Sequence, residues 1–541
     1  MQGKNSDTRN YGKQFFSGVA VLAVSTFIVK VIGLFYKIPM MAYLGAEGMG
    51  YFNSAYDIYS LFFVISTTGI PVAISILVSE NKVQGRARNI KRIFSISIAT
   101  LGVLGLLGTL VMGIFYRQLA HLINNDGAML CILAISPTVI MICISSAIRG
   151  YFQGDQNMIP TAVSQVIEAL GKLFLGLGFA IFAINKGYDT PKVAAFAVLG
   201  LTLGVTISLL FLILYKLLYK IKMDGSQISV NVEPKHLILK KLLDIAIPIT
   251  LSSTILSLTK IIDMTMILRR LSDIGFTQEQ SNAVYGSYST MAVSIYNLPA
   301  TLISAIALPL VPLLVSAIES GDNEKEKSVI SASFKMASLI ALPIGLGIAV
   351  FSEQILMLLF KSQQNEIGYT SPLLSLLGLS VFLSAMITIT NAVLQAYKQV
   401  KKPIISMSVG VLVKVALSFV LIGMPNVNVY GAPISTFISS IVIVSINLYF
   451  IIKQSGKIGT IFNLFGKPFI ASLISVVIGI AAYVALFEVT SSRLLVWPII
   501  VFIAVIYGLI ALKIRAIDEN DILMLPYGEK ILKILIKIHL V

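Results

Sequence analysis

The chain has 541 residues, of which 56% are hydrophobic and only 12% are charged, and its mean hydropathy is +0.89. So few polar residues cannot cover a soluble globule of this size, which excludes a soluble protein and predicts an all-α polytopic membrane protein. The net charge of +16 does not indicate nucleic-acid binding, because the basic residues lie mostly in short loops between apolar segments, as is typical of membrane proteins.

Apolar segments long enough to cross about 30 Å of hydrocarbon recur along the whole chain. We expect a first set of six spans near residues 15–44, 50–79, 93–116, 127–148, 159–185 and 193–219. A second set of six follows near 238–268, 283–317, 329–352, 370–396, 403–423 and 430–452. Two more, near 468–488 and 494–513, bring the total to about fourteen. The first segment is too long for a signal peptide and lacks a small-residue cleavage site, so we predict that it is a retained span.

The charge of the loops predicts the orientation of these spans. About 28 of the 41 Lys and Arg residues lie in the termini and the even-numbered loops, so we predict that both termini are cytoplasmic. The densest basic connectors run from Lys82 to Arg92 and from Lys216 to Lys241. We interpret them as topology determinants near anionic lipid headgroups, with a specific lipid or partner site as the alternative.

The two sets of six spans look like copies of one unit. Pro71 in the second span corresponds to Pro309 in the eighth, and Pro160 after the fourth span corresponds to Pro403 after the tenth. Six spans per copy predict parallel repeats about an axis along the membrane normal. We therefore predict an N-terminal lobe, a C-terminal lobe, a pair of further helices and a cytoplasmic amphipathic tail, over residues 1–222, 223–455, 456–515 and 516–541.

Lysines at bilayer depth are the main indication of function. Lys30 lies in the middle of the first span, Lys37 follows two helical turns later, and Lys260 lies in the seventh span. A charge at this depth costs about 2.5–3.5 kcal/mol, so it generally faces a cavity or a partner. Lys30, Gly33 and Lys37 share one helix face, and Gly33 permits a close approach. The pattern predicts an anion-binding cavity; for Lys37, snorkelling to the outer interface is the alternative.

Two intramembrane aspartates lie near these lysines in the predicted spans. Asp57 is either a counter-charge for Lys37 or a ligand for a coupling ion. Asp263 stands three residues after Lys260 on one helix face. It either pairs with Lys260 or, when that pair opens, supplies a titratable or cation-binding group.

Further polar residues in the spans leave two interpretations open. Glu168 and Lys172 stand at i, i+4 in the favourable order, so they form a structural pair or a functional one. Lys414 has no acidic neighbour on its own predicted helix. The segment Tyr285–Pro299 is rich in hydroxyl groups and contains Asn297; these groups bind a sugar headgroup or join helix to helix.

The sequence contains no pattern typical of an enzyme. Its three histidines are isolated, its two cysteines lack metal-ligand spacing, and no G-x-S-x-G, H-E-x-x-H or Walker A sequence occurs. We therefore predict a protein that is not an enzyme and that has no cofactor or metal. Any energy for transport then comes from a Na+ or H+ gradient, the membrane potential or the substrate gradient.

The segment Arg149–Lys172 (RGYFQGDQNMIPTAVSQVIEALGK) and residues 30–39 (KVIGLFYKIP) resemble the SpoVB/YtgP branch of the MurJ-like flippases. This branch belongs to the multidrug/oligosaccharidyl-lipid/polysaccharide exporter superfamily. The resemblance covers nearly the whole chain and implies two six-helix lobes around a cationic cavity, with a groove for a polyprenyl tail beside the last two helices. It also implies that Lys30 and Lys37 contact a lipid-linked pyrophosphate. Arg149 and Pro160 are assigned a gating or structural role.

The chain departs from this pattern at two places. Proteobacterial members carry an Arg and a Glu in the eighth helix where Ser294 and Asn297 fall, and an Arg pair in the second helix where this chain has 61–64 (LFFV). Cationic function then rests on the intramembrane lysines Lys30, Lys37, Lys260, Lys172 and Lys414.

The resemblance and the charges together predict a flippase of the bacterial cytoplasmic membrane. It would move an undecaprenyl-pyrophosphate-linked cell-wall precursor, first of all lipid II, by alternating access. We expect the lipid-linked oligosaccharide and membrane lipids as its partners, no nucleic acid, and a monomer. Three alternatives are a cation-coupled multidrug exporter, a flippase for another lipid-linked polysaccharide or spore-cortex precursor, and a scaffold that recruits cell-wall or spore-coat enzymes.

Overall fold

The computed structural model of the protein describes residues 2–219, 233–456, 459–490 and 493–517. The chain divides into two compact units, Met1–Thr290 and Met291–Val541. Both are helical, and no strand occurs in the described ranges.

The described part of the first unit has ten α-helices. These are α1 Gln2–Thr67, α2 Gly69–Val83, α3 Ala87–Ile114, α4 Tyr116–Leu122, α5 Met129–Ile135, α6 Thr138–Gly154, α7 Ile159–Asn185, α8 Thr190–Leu218, α9 Lys235–Asp273 and α10 Gln278–Ser287. Within this unit α1 packs against α7, α9 and α10, and α7 packs against α8.

The described part of the second unit has nine α-helices. These are α11 Val293–Tyr296, α12 Leu298–Glu319, α13 Asn323–Val350, α14 Ser352–Leu359, α15 Gln364–Ala396, α16 Lys401–Ile422, α17 Gly431–Ser455, α18 Lys467–Thr490 and α19 Val496–Lys513. Here α13 packs against α15 and α18, and α16 packs against α17.

Twelve helical segments of the described residues are long and apolar enough to cross a membrane, which confirms the polytopic all-α fold class. Eleven of them correspond to one predicted span each. The remaining segment, Val24–Val83, covers the first two predicted spans. The eighth predicted span, 283–317, is not among the twelve and runs over α10, α11 and most of α12.

Gly45 divides the Val24–Val83 segment. At 1.5 Å per residue, its 60 residues extend about 90 Å, three times the thickness of the hydrocarbon core. Gly45 has φ 68° and ψ 179°, a conformation that interrupts a helix and that L side chains rarely adopt. The kink therefore ends the first predicted span and begins the second within α1.

The eighth predicted span, 283–317, is interrupted between α10 and α12. A π-helical turn runs over Tyr288–Ala292, and the short helix α11 ends at Tyr296. Pro299 then lies in the first turn of α12, where a proline without an N–H is best tolerated. Helix α12 has 22 residues, enough to cross the hydrocarbon core by itself, so the predicted span begins before the helix that can cross the membrane.

The loops that follow α6 and α15 have the same backbone geometry. Gln156 (φ 64°) and Lys398 (φ 60°) both adopt a left-handed conformation, which is uncommon outside glycine. Their offset, 398 − 156 = 242 residues, equals the offset between Gln153 and Gln395 in the two copies of the sequence. This agreement supports the predicted repeat.

The predicted segment boundaries remain predictions. The compact units divide at Thr290 rather than between residues 222 and 223, so they do not test the lobe over 1–222, the lobe over 223–455 or the helices over 456–515. Residues 518–541 of the predicted amphipathic tail lie outside the described residues.

Polar contacts hold Tyr219, which follows α8 directly before residues 220–232. The Tyr219 hydroxyl donates a hydrogen bond to Asp155 Oδ2 at 2.6 Å, and Lys82 Nζ lies 2.6 Å from Asp155 Oδ1. Burial, together with the hydrogen bond to the Asp155 carboxylate, raises the pKa of Tyr219 to about 12.

A second set of contacts holds Glu233, the residue directly after 220–232. Glu233 is 2.8 Å from Lys241 Nζ and 3.5 Å from Arg86 Nη1, and its carbonyl accepts a hydrogen bond from Arg92 at 2.8 Å. The two basic connectors predicted as topology determinants therefore contact each other through this glutamate.

Candidate functional site

Helix α1 has two chemically different faces between residues 21 and 37. Its apolar face and helix α7 line a groove of about 470 Å³ formed by Val21, Val24, Ser25, Ile28, Ala162, Val163, Val166 and Ile167. Lys30 lies two residues after Ile28, about 200° around the helix, and therefore faces away from this groove. Gly33 and Lys37 lie on the same side as Lys30, since seven residues make nearly two turns.

Three lysines from α1 and α9 meet on this side of α1. Lys30 and Lys260 are exposed, and Lys37 is half-buried. Lys260 interacts electrostatically with both Lys30 and Lys37. Because like charges at bilayer depth repel each other at close range, the arrangement favours an anion between them.

Asp57 joins this cluster from the second half of α1. Its carboxylate interacts electrostatically with Lys260, Lys37 and Asp263, and it accepts a hydrogen bond from the Tyr285 hydroxyl on α10. With Lys30 included, the cluster combines three lysines and two aspartates, a net charge of +1. It remains positive after its internal counter-charges are counted, as an anion site requires.

Amide hydrogen bonds join α1 to α10 and to the π-helical turn that follows it. Asn282 of α10 donates to the Glu47 carbonyl at 2.6 Å and accepts from Asn125 Nδ2 at 2.8 Å. Asn53 of α1 donates to Thr290 Oγ1 at 2.7 Å. All three asparagines are buried, so these bonds specify how the two helices pack.

The backbones of α1 and α10 are in direct contact where the amides meet. A Cβ added at Gly286 would overlap the carbonyl oxygen of Ala46, and one added at Gly50 would overlap the backbone of Asn282. By contrast, a Cβ at Gly33 would meet nothing within 4 Å. Gly33 therefore borders open space on the lysine face, as expected where a ligand approaches.

A second group of charges is buried in the first unit. Arg149 Nη2 is 3.0 Å from Glu168 Oε2, and Lys172 Nζ is 2.7 Å from Glu168 Oε1. The side chains of Arg149 and Glu168 are only 7% and 9% exposed. Arg149 also donates to Ser164 Oγ at 3.0 Å and Ser208 Oγ at 3.3 Å. The Glu168–Lys172 pair thus has a structural partner, Arg149, that spacing on one helix did not indicate.

The corresponding positions of the second unit form a neutral network. At the 242-residue offset, Arg149 corresponds to Asn391 and Ser164 corresponds to Ser406. Asn447 Nδ2 donates to Asn391 Oδ1 at 2.9 Å, and Ser406 donates to Asn447 Oδ1 at 2.6 Å. The repeat therefore keeps a polar helix contact here, with an amide in place of the Arg149 guanidinium, while Lys172 corresponds to Lys414.

Three further predicted residues lie on other helices or between them. Lys414 of α16 is buried, and at the same offset Glu168 corresponds to Gly410. Asn297 is exposed between α11 and α12. Pro160 is buried in the first turn of α7, which is a structural position for proline.

Sequence reasoning missed several residues that position the cluster. Tyr285 and Thr290 lie in the hydroxyl-rich segment, where helix-to-helix bonding was one of two interpretations, and both bond to α1. The role of Asn125 and Asn282 could not be predicted from the sequence, because isolated asparagines near loop ends are common in membrane proteins. Only the fold brings them together.

The repeated backbone geometry, the apolar spans and the charges at bilayer depth define a multi-pass membrane transporter. Residues 15–318 match the profile of the polysaccharide biosynthesis protein family, which is more than half of the 541 residues. The chain belongs to this family. Residues 248–420 also match the profile of the MatE family, and both matches confirm the exporter superfamily that the sequence resembles.

Curated relatives extend the similarity over most of the chain. Stage V sporulation protein B of Bacillus subtilis is 27% identical over 431 residues, which cover 78% of this chain and 80% of that protein. The lipid II flippase MurJ of Bacillus subtilis is 24% identical over 434 residues, which cover 77% of this chain and 79% of that protein. Among solved structures, the lipid II flippase MurJ in an inward closed conformation matches with a TM-score of 0.69 at 16% identity, covering 91% of this chain and 98% of that one. That structural likeness supports the fold.

Proposed function

We propose that the protein is a flippase that moves an undecaprenyl-pyrophosphate-linked cell-wall precursor, first of all lipid II, across the cytoplasmic membrane by alternating access. The observation that carries the proposal is the electrostatic interaction of Lys260 with Lys30 and Lys37, three lysines of predicted membrane spans. A pyrophosphate is the anion that best matches several ammonium groups, and relatives named for lipid II flipping and sporulation support the substrate class.

The membrane potential supplies energy for this direction of transport. A headgroup with two uncompensated negative charges that moves outward across an inside-negative membrane gains about 4.6 kcal/mol per 100 mV, from about 2.3 kcal/mol per charge. The lysines remain in the protein, so they bind the pyrophosphate without cancelling this gain. Asp57 and Asp263 are the residues of the cluster through which a Na+ or H+ gradient would couple.

The proposed topology places both termini in the cytoplasm. The contacts of Glu233 with Arg86, Arg92 and Lys241 then lie on the cytoplasmic side, where basic residues are enriched. We propose a monomer that acts on its lipid-linked substrate without a cofactor, without catalysing a covalent reaction and without binding nucleic acid.

The test is a lipid II accessibility assay in cells depleted of other flippases. Wild type is expected to restore flipping, while Lys30→Ala and Lys260→Ala are expected to lose most of it at equal protein abundance. Lys361→Ala changes an exposed lysine of the second unit and serves as the control. Wild-type flipping that survives both cluster substitutions contradicts the site. Export of cationic dyes without any flipping favours the multidrug exporter.

A further inference from the structure

The first unit contains a second cavity, which shares no residue with the lysine cluster. Its volume is about 460 Å³, within the usual range for small-molecule sites. It is lined by Tyr116, Arg117, His121, Asp126, Gly127, Met129, Leu130 and Pro191. These residues belong to the third and fifth predicted loops and their flanking helices, which lie on the extracytoplasmic side in the proposed topology.

Arg117 contacts its neighbour Tyr116 beside this cavity. Its Nε donates to the Tyr116 hydroxyl at 2.9 Å, and its guanidinium carbon lies 5.5 Å from the centre of the Tyr116 ring. These contacts of Arg117 use Nε and one face of the guanidinium, so its two terminal amino groups can serve a ligand. A planar fork of this kind matches a carboxylate, and holding it in place lowers the entropy lost on binding.

The other walls combine a histidine–aspartate pair with apolar groups. His121 Nδ1 lies 2.7 Å from Asp126 Oδ1, and both side chains are partly exposed, at 64% and 46%. They offer donors and acceptors to hydroxyl groups. Met129, Leu130 and Pro191 provide an apolar surface against which a sugar ring can pack. One guanidinium among such groups suits a saccharide with a carboxylate better than a bare phosphate, which favours several cations.

Buried neighbours hold the polar wall of the cavity in place. Asn125 precedes Asp126 and donates to Ser54 Oγ of α1 at 2.9 Å. A Cβ at Gly127 would overlap the Tyr51 ring. The wall is therefore built against α1 near its Gly45 kink, and a ligand here contacts a rigid loop.

We propose that this cavity is an extracytoplasmic site for a carboxylate-bearing saccharide. Arg117 binds the carboxylate, His121 and Asp126 bind hydroxyl groups, and Tyr116 orients Arg117. The source of the ligand rests on the proposed function: the muramyl peptide part of a translocated precursor has this chemistry.

The experiment measures binding of muramyl dipeptide, which is soluble and carries one free carboxylate on its peptide, to the full-length protein in nanodiscs by saturation-transfer NMR. Wild type is expected to bind it, N-acetylglucosamine more weakly, and inorganic phosphate not to compete. Arg117→Gln is expected to weaken muramyl dipeptide binding at least about tenfold, and Asp126→Asn to weaken both saccharides. Lys186→Gln, a change of charge outside the cavity, is expected to bind as wild type does.

Three results would overturn the site: no binding of muramyl dipeptide by wild type, equal binding by Arg117→Gln, or displacement by inorganic phosphate. The measurement needs no transport. If binding depends on Arg117 but the protein fails to flip lipid II, the flippase proposal is refuted and this site stands. If the protein flips lipid II but does not bind muramyl dipeptide, this site is refuted and the flippase proposal stands.

Discussion

The hydroxyl of Tyr285 on α10 donates a hydrogen bond to the Asp57 carboxylate on α1. This contact spans 228 residues of sequence and joins the helix next to the broken eighth span to the helix that carries Lys30 and Lys37. Asp57 also interacts with Lys37 and Lys260. The bond therefore positions the carboxylate that partly balances the lysine cluster.

Tyr285→Phe removes the donor and leaves the Asp57 carboxylate with less support. We expect the free energy of unfolding to fall by about 1.5–3 kcal/mol, the range for a hydrogen bond to a charged group. Thermal unfolding of the purified protein checks this, with Tyr43→Phe as the control because Tyr43 is 51% exposed. Equal melting temperatures for the two variants would show that the bond contributes nothing.

Asp57→Asn and Lys37→Met together decide whether Lys37 belongs to the cluster. If the two side chains interact, a double-mutant cycle gives a coupling free energy on the order of 1 kcal/mol, measured from thermal unfolding of the single and double variants. A lysine that snorkels to the interface gives a coupling near zero. If the effects of the two substitutions on stability are strictly additive, Lys37 does not interact with Asp57 and snorkels to the outer interface instead.

Glu168→Gln leaves the buried Arg149 and the half-buried Lys172 without their carboxylate. Removing one partner of a buried ion pair costs about 3–5 kcal/mol, so we expect a large loss of thermal stability. The double variant Glu168→Gln/Lys172→Met removes one of the two stranded charges and is expected to recover part of the loss. Glu353→Gln, at an exposed position, is the matched control. If Glu168→Gln and Glu353→Gln both lower the melting temperature only slightly, the contacts of Glu168 with Arg149 and Lys172 do not stabilise the protein.

Gly286→Ala and Gly33→Ala test the two faces of α1. A methyl group at Gly286 overlaps the Ala46 carbonyl oxygen, so we expect α10 to separate from α1 and the melting temperature to fall. At Gly33 nothing lies within 4 Å, and alanine favours a helix by about 1 kcal/mol over glycine, so stability is expected to hold or rise. Similar destabilisation by both substitutions would argue against the packing described.

The helices were largely predictable, because apolar length alone determines most spans. The two differences have local causes. Gly45 kinks α1 without ending the helix, so the first predicted span and part of the second lie in one helix. The π-helical turn and Pro299 break the eighth span where the sequence remains apolar enough to suggest one helix.

The candidate site was predictable only in part. Lys30, Lys37 and Lys260 stand out because charges are costly in a bilayer. Arg149 could not be paired with Glu168 from the sequence, since the two residues lie on different helices and helical spacing reports only neighbours on one helix. For the same reason the contact between Asn125 and Asn282, which are 157 residues apart, could not be predicted.

The central claim is that the lysine cluster binds the pyrophosphate of a polyprenyl lipid. Its most direct test compares binding of undecaprenyl pyrophosphate and undecaprenol to the protein in nanodiscs, for wild type, Lys30→Gln and Lys260→Gln. Wild type should prefer the pyrophosphate at least about tenfold, since charge-assisted contacts contribute about 1.5–3 kcal/mol each, and each glutamine should remove most of that preference. A preference that persists unchanged in both variants, or that is absent in wild type, would contradict the account.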